Sequence, residues 1–254
     1  MTDLLAIEDL SVTIADRDVV RGVGFTMGRE RIGIVGESGA GKSMLGRAIM
    51  RLLPPGAAMS AARLEFDGVD LRKADMRRVR GKRIALILQD PRFSLNPAMP
   101  VGAQIAETLR THRRLDARSA KAEALRLIDS VRIRDAEMIS RRYPHQLSGG
   151  MGQRIMIAMM LAPDPDLLIA DEPTSALDAS VAGGVLALLD AEVTRRGMGI
   201  ILISHDLDLV AAFCDQVLVM KDGAIVESMA ACDLANARHP YTRQLLAARL
   251  TLDA

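Results

Sequence analysis

The sequence predicts an α/β fold with a mostly parallel sheet at its core. Three observations predict it. Short, mostly apolar runs recur along the chain: RIGIV at Arg31–Val35, IALIL at Ile84–Leu88, LLIA at Leu167–Ala170, GIILI at Gly199–Ile203 and QVLVM at Gln216–Met220. Runs of this kind fit strands covered on both faces, which is how parallel strands are packed. Helical patterns alternate with them, and one stretch, about 90 to 162, shows helical periodicity alone and reads as an insertion.

The first part of the chain is β-rich. Leu4–Leu10, Ser11–Ile14 and Gly22–Met27 read as short strands separated by turn residues, an antiparallel β part ahead of the core. RIGIV ends at Gly36 and is followed by a glycine-rich turn and a helix from about Lys42 to Leu53, which Pro54-Pro55-Gly56 stops. Leu64–Phe66 with Asp67-Gly68 reads as one more hairpin strand. After IALIL and Gln89, helices are expected at Val101–Arg114, Ser119–Val131 and Ser148–Leu161. The later apolar runs then resume the parallel sheet. We read one domain over 1–254, with its core in 1–89 and 163–230, the helical insertion in 90–162 and a helical tail in 231–254.

Composition narrows the function. Of 254 residues, 49% are hydrophobic and 26% charged, so disorder is excluded. Thirty-three basic residues face 32 acidic ones, and no basic excess favours nucleic acid. Four Phe, two Tyr and no Trp leave little for base stacking. The longest stretch without Asp, Glu, Lys or Arg is Phe93–Ala106, 14 residues, where a spanning helix needs about 20 apolar ones. The opening MTDLLAIEDL carries acids where a signal peptide carries Lys or Arg, so a cytoplasmic location is expected. Cys214 and Cys232 stand in no metal or redox spacing and read as reduced thiols.

Chemistry concentrates in three places. Gly36-Glu37-Ser38-Gly39-Ala40-Gly41-Lys42-Ser43 fits G-x-x-x-x-G-K-[ST]. Its glycines let backbone N–H groups turn toward phosphate oxygens, Lys42 brings a point charge for the β- and γ-phosphates, and the Ser43 hydroxyl suits Mg²⁺. The helix that begins there adds its positive end. Asp171 and Glu172 close the run LLIADE. A carboxylate at the C-terminal edge of a parallel strand lies where ligands bind in open α/β sheets, so Asp171 can hold Mg²⁺ and Glu172 can polarise an attacking water. Leu147-Ser148-Gly149-Gly150-Met151-Gly152-Gln153 opens a helix with Ser148 as its N-cap, a second anion-binding end.

Together these residues resemble the ATP-binding-cassette ATPases, a P-loop NTPase family with a RecA-like core. LSGGMGQR is similar to that family's signature and LLIADE follows it. Gln89 matches the Q-loop, Ser175-Ala176-Leu177-Asp178 the D-loop, and His205 after GIILIS the switch histidine. QDPRFSLNP, YPHQLSGGM and the terminal HPYTRQLL resemble the peptide and nickel importer branch. The resemblance implies ATP and Mg²⁺ as cofactors, with Ser43, Gln89 and Asp171 at the metal and Glu172, His205 and Gln89 in hydrolysis. It implies a head-to-tail dimer with a second ATPase subunit, in which Leu147, Ser148, Gly149, Gly150 and Gln153 face the opposing nucleotide. It also implies two membrane permease subunits, an indirect link to an extracytoplasmic solute-binding protein, no nucleic acid, and a peripheral place on the cytoplasmic face of the membrane. The transported solute is expected to be a di- or oligopeptide, or nickel.

Two departures stand out. No aromatic precedes Phe25, so Ile14 is the candidate for contact with adenine, offering area without a π-face. Gly152 stands where this branch usually has Arg. His145 and His239 read as capping or packing residues rather than metal ligands, and His112 as part of a solvated helix face. Met156, Met159 and Met160 read as core filler. The rival readings are a non-transport clamp closed by ATP and a subunit that binds ATP while a paralogue hydrolyses it. The absence of a heptad run argues against the first, and the presence of Glu172 and His205 against the second.

Overall fold

The structure is a computed structural model that describes residues 3–88, 94–175, 177 and 179–250. In chain order it runs β1 (Leu5–Ile14), β2 (Arg17–Met27), β3 (Arg31–Val35), α1 (Lys42–Ile49), β4 (Ala57–Ser60), β5 (Arg63–Phe66) and β6 (Val69–Asp70). There follow β7 (Ile84–Ile87), α2 (Val101–Arg113), α3 (Ala117–Ser130), α4 (Ala136–Ser140), α5 (Gly149–Leu161), β8 (Leu167–Asp171) and α6 (Ala179–Arg196). The chain closes with β9 (Gly199–Ile203), α7 (Leu207–Phe213), β10 (Gln216–Lys221), β11 (Ala224–Ala230) and α8 (Pro240–Leu250). Contacts divide these elements into two compact units, one ending at Arg77 and resuming at Gly199, the other Arg78–Met198.

In the first unit β1 is the hub of an antiparallel sheet ordered β2-β1-β5-β6, with β4 also paired to β1. Leu5, Ile7, Leu10 and Val12 are all buried, and the alternation slips between Ile7 and Leu10 because a bulge falls there. Asp9, at φ 50°, carries the bend. One bulged strand therefore replaces the two short strands expected over Leu4–Ile14. The same unit holds strands in the order β11-β10-β3-β9, with β10, β3 and β9 mutually parallel and β11 an antiparallel edge. Ile32, Ile34, Val35 and every residue of β9 are buried, the pattern expected of strands covered on both faces.

Helix α1 stops four residues before the expected Leu53. Arg51 turns left-handed at φ 50°, and its guanidinium donates to the carbonyls of Leu71 and Ala74 at 3.1 and 3.0 Å. A tertiary anchor thus ends the helix ahead of the proline pair.

In the second unit β7 and β8 pair in parallel, Ile84 with Leu167 through Ile87 with Ala170. Leu167, Leu168 and Ile169 are wholly buried, each contributing about 1.5–3 kcal/mol relative to exposure. The Arg83 guanidinium meets the Asp166 carboxylate at 2.8 Å just before β8 begins. Helix α3 starts earlier than the expected Ser119, because Asp116 accepts from the N–H groups of Arg118 and Ser119 and caps it. Between residues 94 and 162 the described residues contain no strand, in keeping with the helical stretch expected there. The unit extends beyond 90–162 because α5 packs on both β7 and α6. No helix among the described residues is long and apolar enough to cross a membrane.

Candidate functional site: a phosphate loop, an acidic strand end and a second helix start

The loop Gly36–Ser43 joins β3 to α1 in the first unit. Gly41, the N-cap of α1, sits at φ 97°, and a Cβ there would collide with the Val19 carbonyl oxygen. Only glycine fits both demands. No side chain caps this helix, whereas a Cβ on Gly39 would meet nothing within 4 Å, so the mouth of the loop is open. Lys42 is buried at 6% exposure, and its ammonium donates to the carbonyls of Gly36 at 2.7 Å and Glu37 at 2.8 Å. Burying an ammonium is costly unless hydrogen bonds compensate it, and these two hold it inside the loop's curve. An open helix start with a buried cation at its rim fits a polyphosphate. Ser43, in the first turn of α1, is exposed.

The loop is braced from outside. The Gly223 N–H donates to the Ala40 carbonyl at 3.1 Å, and the Glu37 N–H donates to the Tyr241 phenol oxygen of α8 at 3.0 Å. Tyr241 is 4% exposed, Lys221 places its ammonium 4.8 Å above the ring, and burial pushes the phenol above its ordinary pKa. Sequence reading singled out HPYT without giving this tyrosine a role.

His205 stands two residues past the end of β9 and is exposed. The Ser204 N–H donates to the Ile34 carbonyl at 3.1 Å, so the ends of β9 and β3 lie side by side and His205 leaves the same sheet edge as the phosphate loop. Asp206 caps α7 through the N–H groups of Asp208 and Leu209, which fixes the backbone after the histidine. Ile14, half-buried, ends β1 opposite Arg17 and Ala57.

The second unit carries the remaining residues. Asp171 ends β8 at 7% exposure. Glu172 follows with φ 46°, an uncommon conformation for a side-chain-bearing residue. Its carbonyl accepts from the Ser175 hydroxyl at 3.1 Å, which ties the start of the next loop to the strand end. Asp171 is an oxygen ligand of the kind Mg²⁺ takes, so its chemistry fits the metal. Ser148 caps α5 by accepting from the Met151 N–H at 3.4 Å, as the sequence led us to expect. Leu147 is half-buried, Gly149 exposed and Gly152 buried in the helix. A Cβ on Gly150 would strike Val181 of α6. Gln153 is buried, and its amide donates to the Pro173 carbonyl at 2.7 Å. Gln89, Ala176 and Asp178 lie outside the described residues, while Leu177 donates its N–H to the Thr174 carbonyl at 3.0 Å.

Among the weaker candidates, His239 accepts the Tyr241 N–H at Nδ1, a packing role. His112 is half-buried against Gly81 instead of lying on a solvated face, and that burial lowers its pKa. No group of three His, Cys, Asp or Glu suited to a metal occurs among the described residues. Both cysteines are free, and burial pushes the Cys214 thiol up to about 12.

Comparison with known proteins decides the family. The ABC transporter family matches the chain over residues 20–175. The chain belongs to the ABC transporter family. The fold agrees: an ATP-binding cassette described as MJ0796, in a dimeric post-hydrolysis state bound to ADP and Pi, superposes with a TM-score of 0.78 at 22% identity, covering 89% of this chain and 98% of that one. CbiO1 of Clostridium perfringens, part of the ABC transporter complex cbiONQ, superposes with a TM-score of 0.77 at 25% identity over 99% of this chain and 96% of its own. By sequence, the glutathione import ATP-binding protein GsiA of Pectobacterium atrosepticum is 48% identical over 91% of this chain. GsiA of Escherichia coli strain K12 is 44% identical over 97% of it. The chain spans 39% and 42% of the length of these two relatives. ABC cassettes are ATPases that bind ATP with Mg²⁺, so the resemblance read from the motifs is borne out at the level of family, fold and importer-type relatives.

Proposed function

We propose that this chain is an ATP-hydrolysing subunit of an importer, coupling ATP turnover to uptake of a short peptide. The observation that carries the reading is its 44–48% identity, over nearly its whole length, with glutathione import ATP-binding proteins. Glutathione is a tripeptide, which favours the peptide alternative over nickel. The solute itself touches permeases and a solute-binding protein, so no residue of this chain selects it.

In this reading the loop N–H groups and Lys42 hold the phosphates, and Ile14 gives the base apolar contact. Ser43, Asp171 and Gln89 would hold Mg²⁺, which would supply positive charge to offset that of the phosphoryl oxygens. Glu172 orients a water and draws its proton, while His205 contacts the terminal phosphate. Leu147, Ser148, Gly149, Gly150 and Gln153 serve the nucleotide of an opposing ATPase subunit, alongside the Ser175–Asp178 loop. Two permease subunits receive the motion at the cytoplasmic face of the membrane.

The test is uptake into vesicles holding the reconstituted complex, with Mg-ATP inside and labelled glutathione, a dipeptide or Ni²⁺ presented with the solute-binding protein. ATP-dependent accumulation of a peptide supports the proposal. Accumulation of Ni²⁺ alone overturns the peptide assignment, and solute-independent ATPase activity with no uptake overturns coupling.

A further inference from the structure

We infer that Tyr241 is a positioning residue for the phosphate loop, acting through the Gly36–Glu37 peptide on Lys42; the inference rests on the reading of Gly36–Ser43 as the nucleotide's phosphate site. The peptide that joins Gly36 to Glu37 is held on both sides. Its carbonyl, that of Gly36, is one of the two that receive the Lys42 ammonium, at 2.7 Å, and its N–H, that of Glu37, is taken by the Tyr241 phenol oxygen at 3.0 Å. A peptide group rotates as a plane, so fixing the Glu37 N–H fixes the direction of the Gly36 carbonyl. Tyr241 therefore sets where one anchor of the phosphate-binding cation points, from 204 residues away in sequence.

The tyrosine is itself held from several sides. Its ring is 4% exposed with the Lys221 ammonium above it, and its N–H donates to His239 Nδ1 at 3.2 Å. Glu227 of β11 accepts the N–H groups of Arg238 and His239 at 2.7 and 3.1 Å, which tethers the start of α8 to the sheet edge. A hydrogen bond with a nearly buried acceptor has little water to replace it, and an orphaned N–H at Glu37 would be costly. Loop and terminal helix are in this way tied by a bond whose loss the loop cannot easily repair.

The experiment compares wild type, Tyr241→Phe and Lys42→Ala by titration with Mg-ATP, Mg-ADP and AMP. Tyr241→Phe keeps the ring and removes only the acceptor. It should weaken ATP and ADP by about three- to tenfold and leave AMP unchanged, since Lys42 addresses the β- and γ-phosphates. Equal weakening of all three nucleotides means general loosening and overturns the positioning role, as does unchanged ATP affinity. If wild type fails to bind ATP, or Lys42→Ala binds as well as wild type, it is the phosphate-loop reading that falls. A second measurement needs no variant: hydrogen exchange of the wild-type chain. By linkage, Mg-ATP should slow exchange in the peptide containing Tyr241 as well as in the loop; protection confined to the loop overturns the inference.

Discussion

Two helices of this chain begin in a glycine-rich turn, and they begin differently. Helix α1 starts at Gly41, an N-cap that makes no side-chain cap bond, whereas α5 starts at Ser148, whose own hydroxyl accepts the Met151 N–H. Beside α1 a buried ammonium is held by two loop carbonyls. Beside α5 the glycines are exposed at one position and pressed against Val181 at the next. The first start is arranged to hold a polyanion within this chain. The second is finished locally by its own cap. An anion-binding helix end is therefore read from what already satisfies its N–H groups, and the glycines alone do not distinguish the two.

The sharpest way to separate holding from chemistry is Glu172→Gln, which keeps size and hydrogen bonding but removes the charge. Phosphate release should fall about 10²–10⁴-fold while ATP affinity stays within about twofold of wild type. Near-normal release would move the base elsewhere, to His205 first. Lys42→Ala should weaken Mg-ATP by about 100-fold in an equilibrium titration, the scale of losing a charge-assisted hydrogen bond in a buried loop. Gly150→Ala acts on the other helix. Its new methyl meets the stiff Val181 side chain, so we expect about 1–3 kcal/mol of destabilisation, read as a lowered thermal midpoint, with ATP affinity of the isolated chain untouched. GTP should compete with ATP within about tenfold, or ~1.4 kcal/mol, because affinity resides in the phosphate loop and Ile14 gives the base no ring to stack on. A much stronger ATP preference would show that another group reads the adenine edge. Ser148→Ala has the smallest effect, about 1 kcal/mol of stability through the lost cap, and likewise leaves nucleotide titration of the isolated chain unchanged.

Much of this was legible in the sequence. The five buried runs all became strands, because a strand covered on both faces must be apolar throughout and leaves an unmistakable pattern. The Ser148 cap was legible because capping chemistry is local. What escaped was non-local or weakly patterned. Edge strand β11 and short strand β4 are only partly buried and show no clean alternation of apolar residues. Helix α4 spans five residues, less than two turns, too short for a period to emerge. The end of α1 depends on carbonyls of Leu71 and Ala74, which no window around Arg51 contains. In the site, the residue types were readable from spacing, since phosphate binding and strand-end carboxylates are encoded over a few positions. Tyr241 was not, because its contact with Glu37 exists only once β10, β11 and α8 have brought the chain back to the phosphate loop.

The Gln153 amide, with its bond to the Pro173 carbonyl, makes one mechanical piece of the α5 start and the backbone just past Glu172. Gln153 is 1% exposed, and a buried amide that lost its partner would be costly. A force applied to the turn at Leu147–Gly150 is delivered within about two helical turns to the peptide that follows the acidic strand end. The turn at Leu147–Gly150 is thus the near end of a short arm, whose far end is bonded to the backbone one residue past Glu172.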